Sequence, residues 1–288
     1  MKRDRQPPAP RDPDPSVAAR RRGIPRVSEA VALLFIVAIL YLVGGAVLQI
    51  YLGEPGLLLG QLLFMALPVV LLVRARGYPM REVLALRGFD REHFLAGILL
   101  MYGGGLIALY LAWAQSFFIP IPLDFLEAMA EVLTADSVER FLWLLVLAAA
   151  TPAIAEELLF RGVLLSSLRG RMPELLVVVV TGLIFGLFHL APQTAFRVLP
   201  TAWLGMVLAW VVISSGSLPL AMVLHFVNNG TLLALAAFPL TREFATGTED
   251  APPLLLLPVA LLLFGVGVHL MREKRRRGEG AATDPPPP

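Results

Sequence analysis

The chain has 288 residues, of which 57% are hydrophobic and 16% charged, with a net charge of +2 and a mean hydropathy of +0.73. Soluble domains carry roughly 25% charged residues, so this composition excludes an ordinary soluble domain and predicts an integral membrane protein. The chain has no cysteine, which excludes disulfides, thiolate metal sites and a cysteine nucleophile.

The two ends of the chain differ in composition from the part between them. Residues 1–25 are rich in Pro, Arg and Asp without apolar periodicity, which predicts a disordered basic tail. The apolar stretch from Ala30 to about Leu52 exceeds the roughly 7–15 residues of a signal-peptide core and suits a retained span. Residues 26–272 are predicted to form one membrane-embedded domain, followed by a basic, Pro-rich tail over residues 273–288.

About eight apolar segments between the tails are long enough to span a bilayer, which predicts an all-α, polytopic transmembrane helix bundle. They run approximately Val27–Tyr51, Pro55–Val73, His93–Ala114, Phe141–Leu168, Pro173–Leu190, Leu199–Ser214, Leu218–Phe238 and Pro253–Met271. The segment from Leu123 to Arg140 is amphipathic and acidic, and we expect it to form an interfacial helix.

The distribution of Arg and Lys predicts the topology. Basic residues cluster before the first segment and after the second, fourth and eighth, whereas the opposite connections, including Glu243–Asp250, are acidic or neutral. The positive-inside rule then predicts an even number of spans with both termini in the cytoplasm. The Arg-, Ala- and Pro-rich composition points to a bacterial plasma membrane as the location.

Polar side chains that carry chemistry are rare within the apolar segments, because one charge at the centre of a span costs about 2.5 kcal/mol or more. The ones that stand out are Glu156, Glu157 and Arg161 in the fourth segment, His189 at the end of the fifth, and His225 and Asn229 in the seventh. Each pattern alone is weak, since a single intramembrane histidine is more often a packing residue. Their occurrence together in three apolar helices indicates a functional site.

Helical spacing divides the two glutamates. Glu157 and Arg161 are four residues apart and can form an ion pair, which favours a structural role for Glu157. Glu156 lies about 100° further round the helix and has no obvious local partner. A desolvated carboxylate without a partner is a stronger base than one in water, which suits a general base. Pro152, one turn earlier, is expected to loosen the helix.

The other two segments contribute hydrogen-bonding side chains. His225 and Asn229 share a helix face and can together bind the oxygen that becomes negative when a carbonyl is hydrolysed. His189 can hold a water against Glu156 or transfer a proton. Phe185 shares a face with His189 and is expected to be a packing partner or a wall of the site.

The arrangement resembles the CPBP family, which comprises type II CAAX prenyl endopeptidases and bacteriocin-processing proteases. That family carries E-E-x-x-x-R, F-x-x-x-H and H-x-x-x-N motifs on successive membrane helices, as this chain does between residues 141 and 238. The resemblance implies that Glu156 and His189 activate a water and that His225 and Asn229 form the oxyanion site. It also implies that Glu157 and Arg161 hold their helix in place.

The resemblance leaves the use of a metal open. We expect no cofactor, because an asparagine beside His225 suits an oxyanion better than zinc. The alternative is a zinc-dependent protease with Glu156, His189 and His225 as ligands. No H-E-x-x-H, G-x-S-G or G-x-G-D motif supports another intramembrane protease chemistry.

The leading functional hypothesis is an intramembrane endopeptidase that cleaves a membrane-anchored, lipidated (CAAX-like) or exported precursor protein. Its expected partners are membrane lipids and that substrate, with no nucleic acid. Two alternatives belong to other classes. A non-catalytic membrane scaffold or regulator would tolerate loss of Glu156 or His189, and a proton-coupled transporter would show paired broken helices, of which Pro152 is one candidate without a mirrored partner.

Overall fold

The computed structural model describes residues 23–238 and 252–283, with side chains as far as residue 278, and these ranges form helices and no β-strand. The helices are α1 (Val27–Leu52), α2 (Glu54–Ala75), α3 (Met80–Val83), α4 (Arg91–Ser116), α5 (Leu123–Val132), α6 (Val138–Leu168), α7 (Glu174–Phe188), α8 (Val198–Ser215), α9 (Leu218–Ala237) and α10 (Leu256–Thr283). The prediction of an all-α fold is confirmed.

Seven helices of the described chain are long and apolar enough to cross a membrane: α1, α2, α4, α6, α8 with the turn before it, α9 and α10. The fifth predicted segment is α7, an apolar helix of 15 residues, shorter than the roughly 20 that cross the hydrocarbon core. The chain is therefore a multi-pass membrane protein built as a polytopic helix bundle. The cytoplasmic placement of both termini remains a prediction.

The amphipathic segment is shorter than expected. Helix α5 ends at Val132, and α6 begins at Val138 with Ser137 as its cap, because the Ser137 hydroxyl accepts a hydrogen bond from the Arg140 backbone N–H at 3.1 Å. Arg140, predicted to end the interfacial helix, therefore lies in the first turn of α6. Its guanidinium donates to both carboxylate oxygens of Glu54, at 2.6 and 2.7 Å, and so joins α6 to the start of α2.

The last helix extends beyond the predicted eighth segment. Helix α10 continues through the basic cluster to Thr283, and the Lys274 ammonium lies 2.7 Å from a carboxylate oxygen of Asp90 and 3.0 Å from one of Glu92. The beginning of the predicted 273–288 tail is thus helical. Residues 1–22 of the predicted N-terminal tail and the acidic connection Glu243–Asp250 lie outside the described residues.

Helix α6 is not a uniform α-helix. Residues 146–150 and 158–164 form π-helical turns on either side of the α-helical segment Thr151–Glu157, which has Pro152 in its first turn. Proline lacks a backbone N–H, and the Thr151 hydroxyl donates to the Val146 carbonyl at 2.7 Å. Such wide turns recur at functional sites, and here they flank the segment that carries Glu156 and Glu157.

Helices α7 and α8 approach closely through glycines. A Cβ atom added to Gly186 would lie 2.6 Å from the Val198 carbonyl oxygen and 2.6 Å from the Ala202 Cβ, and one added to Gly182 would meet the α8 backbone at 2.8 Å. Small residues allow membrane helices to pack backbone against backbone. This contact holds the end of α7, where His189 follows, against the start of α8.

We expect Gly186→Ala to lower the free energy of unfolding by about 1–3 kcal/mol, because the added methyl must push the two helices apart. Thermal unfolding in detergent measures the loss. Gly265→Ala is the matched control, since an added Cβ there has no neighbour within 4 Å and alanine is the better helix former. Equal unfolding temperatures for the two variants would contradict the close approach.

Candidate functional site

The three motif-bearing helices α6, α7 and α9 surround one cavity of about 640 Å³. Glu156 from α6, His189 after α7, and His225 and Asn229 from α9 all line it, together with Phe185. Most of its other walls are apolar side chains from α4, α8 and α9. The structure therefore brings together the four residues predicted to be catalytic, although they are up to 73 positions apart in the sequence.

Glu157 and Arg161 lie behind this cavity and are almost completely buried, with 0% and 1% of their side chains exposed. Arg161 Nη1 donates to Glu157 Oε1 at 2.6 Å, and Nη2 donates to the Gly205 carbonyl of α8 at 3.0 Å. The guanidinium also lies 4.4 Å from the ring centroid of Phe185 in α7. One arginine thus contacts three helices, which supports the structural role predicted for the pair.

Glu157 has a second partner, which sequence reasoning missed. His225 Nδ1 lies 2.9 Å from Glu157 Oε1, the oxygen that also accepts from Arg161. A carboxylate paired with arginine is an acceptor, so Nδ1 carries a hydrogen, and Nε2 presents a lone pair whenever the ring holds a single proton. Glu157 therefore determines both the orientation and the tautomer of His225.

His189 is held in the same way by a different acceptor. Its Nδ1 lies 2.9 Å from the Phe185 carbonyl oxygen, one helical turn earlier, so Nδ1 donates and Nε2 presents a lone pair. The Phe185 ring packs edge-to-face against the His189 ring, with centroids 4.9 Å apart. Phe185 is thus both a packing partner and a wall of the cavity.

The two Nε2 atoms converge on one carboxylate. His189 Nε2 lies 4.0 Å from Glu156 Oε1, and His225 Nε2 lies 3.8 Å from Glu156 Oε2. Both distances are too long for direct hydrogen bonds, and they suit groups that act on a third atom between them. The Glu156 side chain is 15% exposed, in contrast to the fully buried Glu157 beside it.

The amide of Asn229 is held at both ends. Its Nδ2 donates to the Ala148 carbonyl of α6 at 3.3 Å, and its Oδ1 accepts from Asn228 Nδ2 at 3.1 Å. Asn228 also lines the cavity and was not singled out from the sequence, although a second amide within an apolar helix was a usable signal. The second Nδ2 hydrogen of Asn229 is left for another acceptor.

Arg197 also lines the cavity and was also missed. It lies in the turn before α8, among the residues that the hydropathy pattern left between the fifth and sixth segments. A single arginine at the end of an apolar segment is typical of an ordinary interfacial residue, so only the fold showed that Arg197 lines the same cavity as Glu156.

No group of three or more His, Asp and Glu side chains in residues 23–238 and 252–278 has the spacing that would hold a metal ion. In both His189 and His225, Nδ1 donates to a carbonyl or carboxylate oxygen and Nε2 faces the cavity. Metal-ligating histidines are held in the same way. The zinc-dependent alternative, with Glu156 as the third ligand, stays a prediction.

One comparison with known proteins matches the part of the chain that contains the motif residues. The family model described as type II CAAX prenyl endopeptidase Rce1-like matches residues 138–231, about a third of the chain, and this range contains every motif residue. No curated protein and no solved structure matched the chain.

We expect Glu157→Gln to lower the free energy of unfolding by about 3–5 kcal/mol, because Arg161 would remain buried without its counter-charge. Thermal unfolding in detergent measures this loss. Glu273→Gln is the matched control, since Glu273 also pairs with an arginine four residues on at 2.6 Å, but on an exposed helix surface. No measurable change is expected for the control, and an equally small change for Glu157→Gln would exclude a supporting role.

Proposed function

We propose that Glu156 activates the attacking water. Residues 138–231 match the Rce1-like family, so the chain belongs to the CAAX protease family and is a membrane endopeptidase. The observation that supports the role of Glu156 most directly is the convergence of both Nε2 atoms on the Glu156 carboxylate, at 3.8 and 4.0 Å, inside one cavity. Glu156 is the one carboxylate that lines this cavity among the described residues.

In the proposed first step, a water donates one proton to the Glu156 carboxylate while its oxygen bonds to the scissile carbonyl carbon. His189 Nε2 accepts a hydrogen bond from the second hydrogen of that water and so orients it. When the carbon–nitrogen bond breaks, the protonated Glu156 returns its proton to the leaving amine. The proton taken from the water thus ends on the leaving amine, and no covalent bond forms between enzyme and substrate.

Asn229 and His225 are proposed to stabilise the oxyanion that forms in this step. Asn229 has a free Nδ2 hydrogen, because its other contacts use one hydrogen and the oxygen. His225 can donate from Nε2 only when the ring is doubly protonated, since Nδ1 already donates to Glu157. The buried carboxylate would stabilise that imidazolium, as the aspartate does in a Ser-His-Asp triad. Glu157 thus becomes a positioning residue for His225 as well as the partner of Arg161.

The proposed substrate is a membrane-anchored, lipidated (CAAX-like) or exported precursor protein. CAAX proteases act on membrane-anchored proteins, and the apolar walls of the cavity suit a segment with apolar side chains. We propose the bacterial plasma membrane as the location of this protein, in keeping with the composition of the chain.

We propose that the reaction needs no metal. Glu156, His189 and His225 have proton-transfer and orienting roles that need no metal. The zinc-dependent version of the same protease is the alternative, and it would use those three side chains as ligands.

We expect Glu156→Gln to lower the hydrolysis rate at least about 100-fold, because the amide cannot accept the proton of the water. The measurement is cleavage of a farnesylated CAAX octapeptide and of an apolar leader-type peptide by purified protein in detergent. Glu139→Gln, an exposed change on the same helix, is the matched control and should keep the wild-type rate. Equal rates for wild type and Glu156→Gln would remove Glu156 from the mechanism, and no cleavage by the wild type would favour a scaffold.

We expect the same cleavage to continue at an unchanged rate after incubation with 1,10-phenanthroline and with EDTA. Elemental analysis of the treated protein checks that tightly held zinc is gone. Loss of activity that returns on addition of Zn²⁺ would establish the zinc-dependent alternative.

A further inference from the structure

Apart from its two histidines, the cavity is lined by two residues with charged side chains, Glu156 and Arg197. Arg197 is exposed to the cavity, since its side chain retains accessible surface although it lies among the helices of the bundle. Glu156 already has a proposed role, whereas nothing in the proposed reaction uses Arg197. A second charge among apolar walls therefore requires its own explanation.

Within the described part of the chain, the Arg197 guanidinium makes no hydrogen bond and no ion pair. Glu156 lines the same cavity without direct contact to Arg197. The contrast with Arg161 is informative, because that arginine is almost fully buried and bonded to both Glu157 and Gly205. An arginine fork with five donors turned towards a cavity is suited to an anion that arrives with a ligand.

The backbone around Arg197 is fixed by a buried amide from α4. Gln115, 7% exposed, donates from Nε2 to the Ala195 carbonyl at 2.6 Å and accepts at Oε1 from the Leu199 N–H at 2.8 Å. These two bonds fix backbone groups on both sides of Arg197 in the chain. The Arg197 N–H itself donates to the Thr194 carbonyl at 2.9 Å. The turn is therefore ordered before a ligand binds, which reduces the entropy lost on binding.

We propose that Arg197 binds a carboxylate of the peptide substrate, namely the one at its C-terminus, while the scissile bond lies beside Glu156. This inference rests on the proposed hydrolysis. A cavity of about 640 Å³ accommodates a segment of a few residues and not a folded domain. A chain end brings one flanking segment into this space, whereas an internal segment would bring two. Guanidinium and carboxylate pair through two parallel hydrogen bonds, and the apolar walls suit the side chains between the two ends.

The test compares the farnesylated CAAX octapeptide as free acid, as C-terminal amide, and as amide with an Asp in its last position. Each is measured with wild type, Arg197→Gln, Arg197→Lys and the exposed control Arg81→Gln. Cleavage supplies kcat and KM, and binding of a fluorescent peptide to Glu156→Gln, with and without Arg197→Gln, supplies an affinity without turnover.

For wild type and Arg81→Gln, we expect the acid to have a KM at least about tenfold lower than the amide, with a smaller difference in kcat. Arg197→Gln should remove this preference, and Arg197→Lys should retain part of it. Recovery of affinity by the Asp-containing amide would show that any nearby carboxylate is bound; no recovery would limit the site to the C-terminal one.

Two results would overturn the assignment. Equal KM values of the acid and amide for wild type would show that no carboxylate is recognised. An Arg197→Gln variant that lowers kcat for both peptides and keeps the preference would show that Arg197 acts on Glu156 or the transition state. If wild type cleaves none of the peptides while Glu156→Gln still binds the acid more tightly in an Arg197-dependent way, the hydrolytic proposal fails and the carboxylate site stands.

Discussion

One buried carboxylate oxygen holds the site together. Glu157 Oε1 accepts a hydrogen bond from Arg161 on its own helix and another from His225 on α9. Arg161 in turn reaches the Gly205 carbonyl of α8 and the face of the Phe185 ring in α7. Because removing one partner of a buried ion pair leaves the other charge unpaired away from water, the loss of either charge is costly. The Glu157–Arg161 pair thereby contacts side chains or backbone of the four helices α6, α7, α8 and α9.

The same constraint explains why two adjacent glutamates differ so much. Glu157 is enclosed and pairs through Oε1 with a cation and a histidine, whereas Glu156, about 100° round the helix, faces the cavity. The buried residue sets the tautomer of His225, and the accessible residue is then faced by the free Nε2 atoms of both histidines. The residue that supports the site and the residue proposed to activate the water are therefore neighbours in the sequence.

Other residues that line the cavity are also held in place by neighbours that have no proposed part in the reaction. Asn228 holds the Asn229 amide, Phe185 supplies a carbonyl to His189, and Gln115 holds the turn that presents Arg197. Each supporting contact uses a backbone group or an amide, which adds no further charge to an apolar interior. The functional groups are thus positioned by neutral partners everywhere except at Glu157.

The sequence by itself determined the membrane location, the helical class, the approximate limits of the spans and the ordered motif residues. It could do so because long apolar runs and i, i+4 spacings are local properties, and the Glu157–Arg161 pair is of that kind. Only the tertiary structure decided that His225 shares the Glu157 oxygen, that both Nε2 atoms converge on Glu156, and that Arg197 lines the same cavity. These contacts join residues that are distant in the sequence, across helices whose packing depends on glycines and π-helical turns, and no local pattern specifies which side chains meet there.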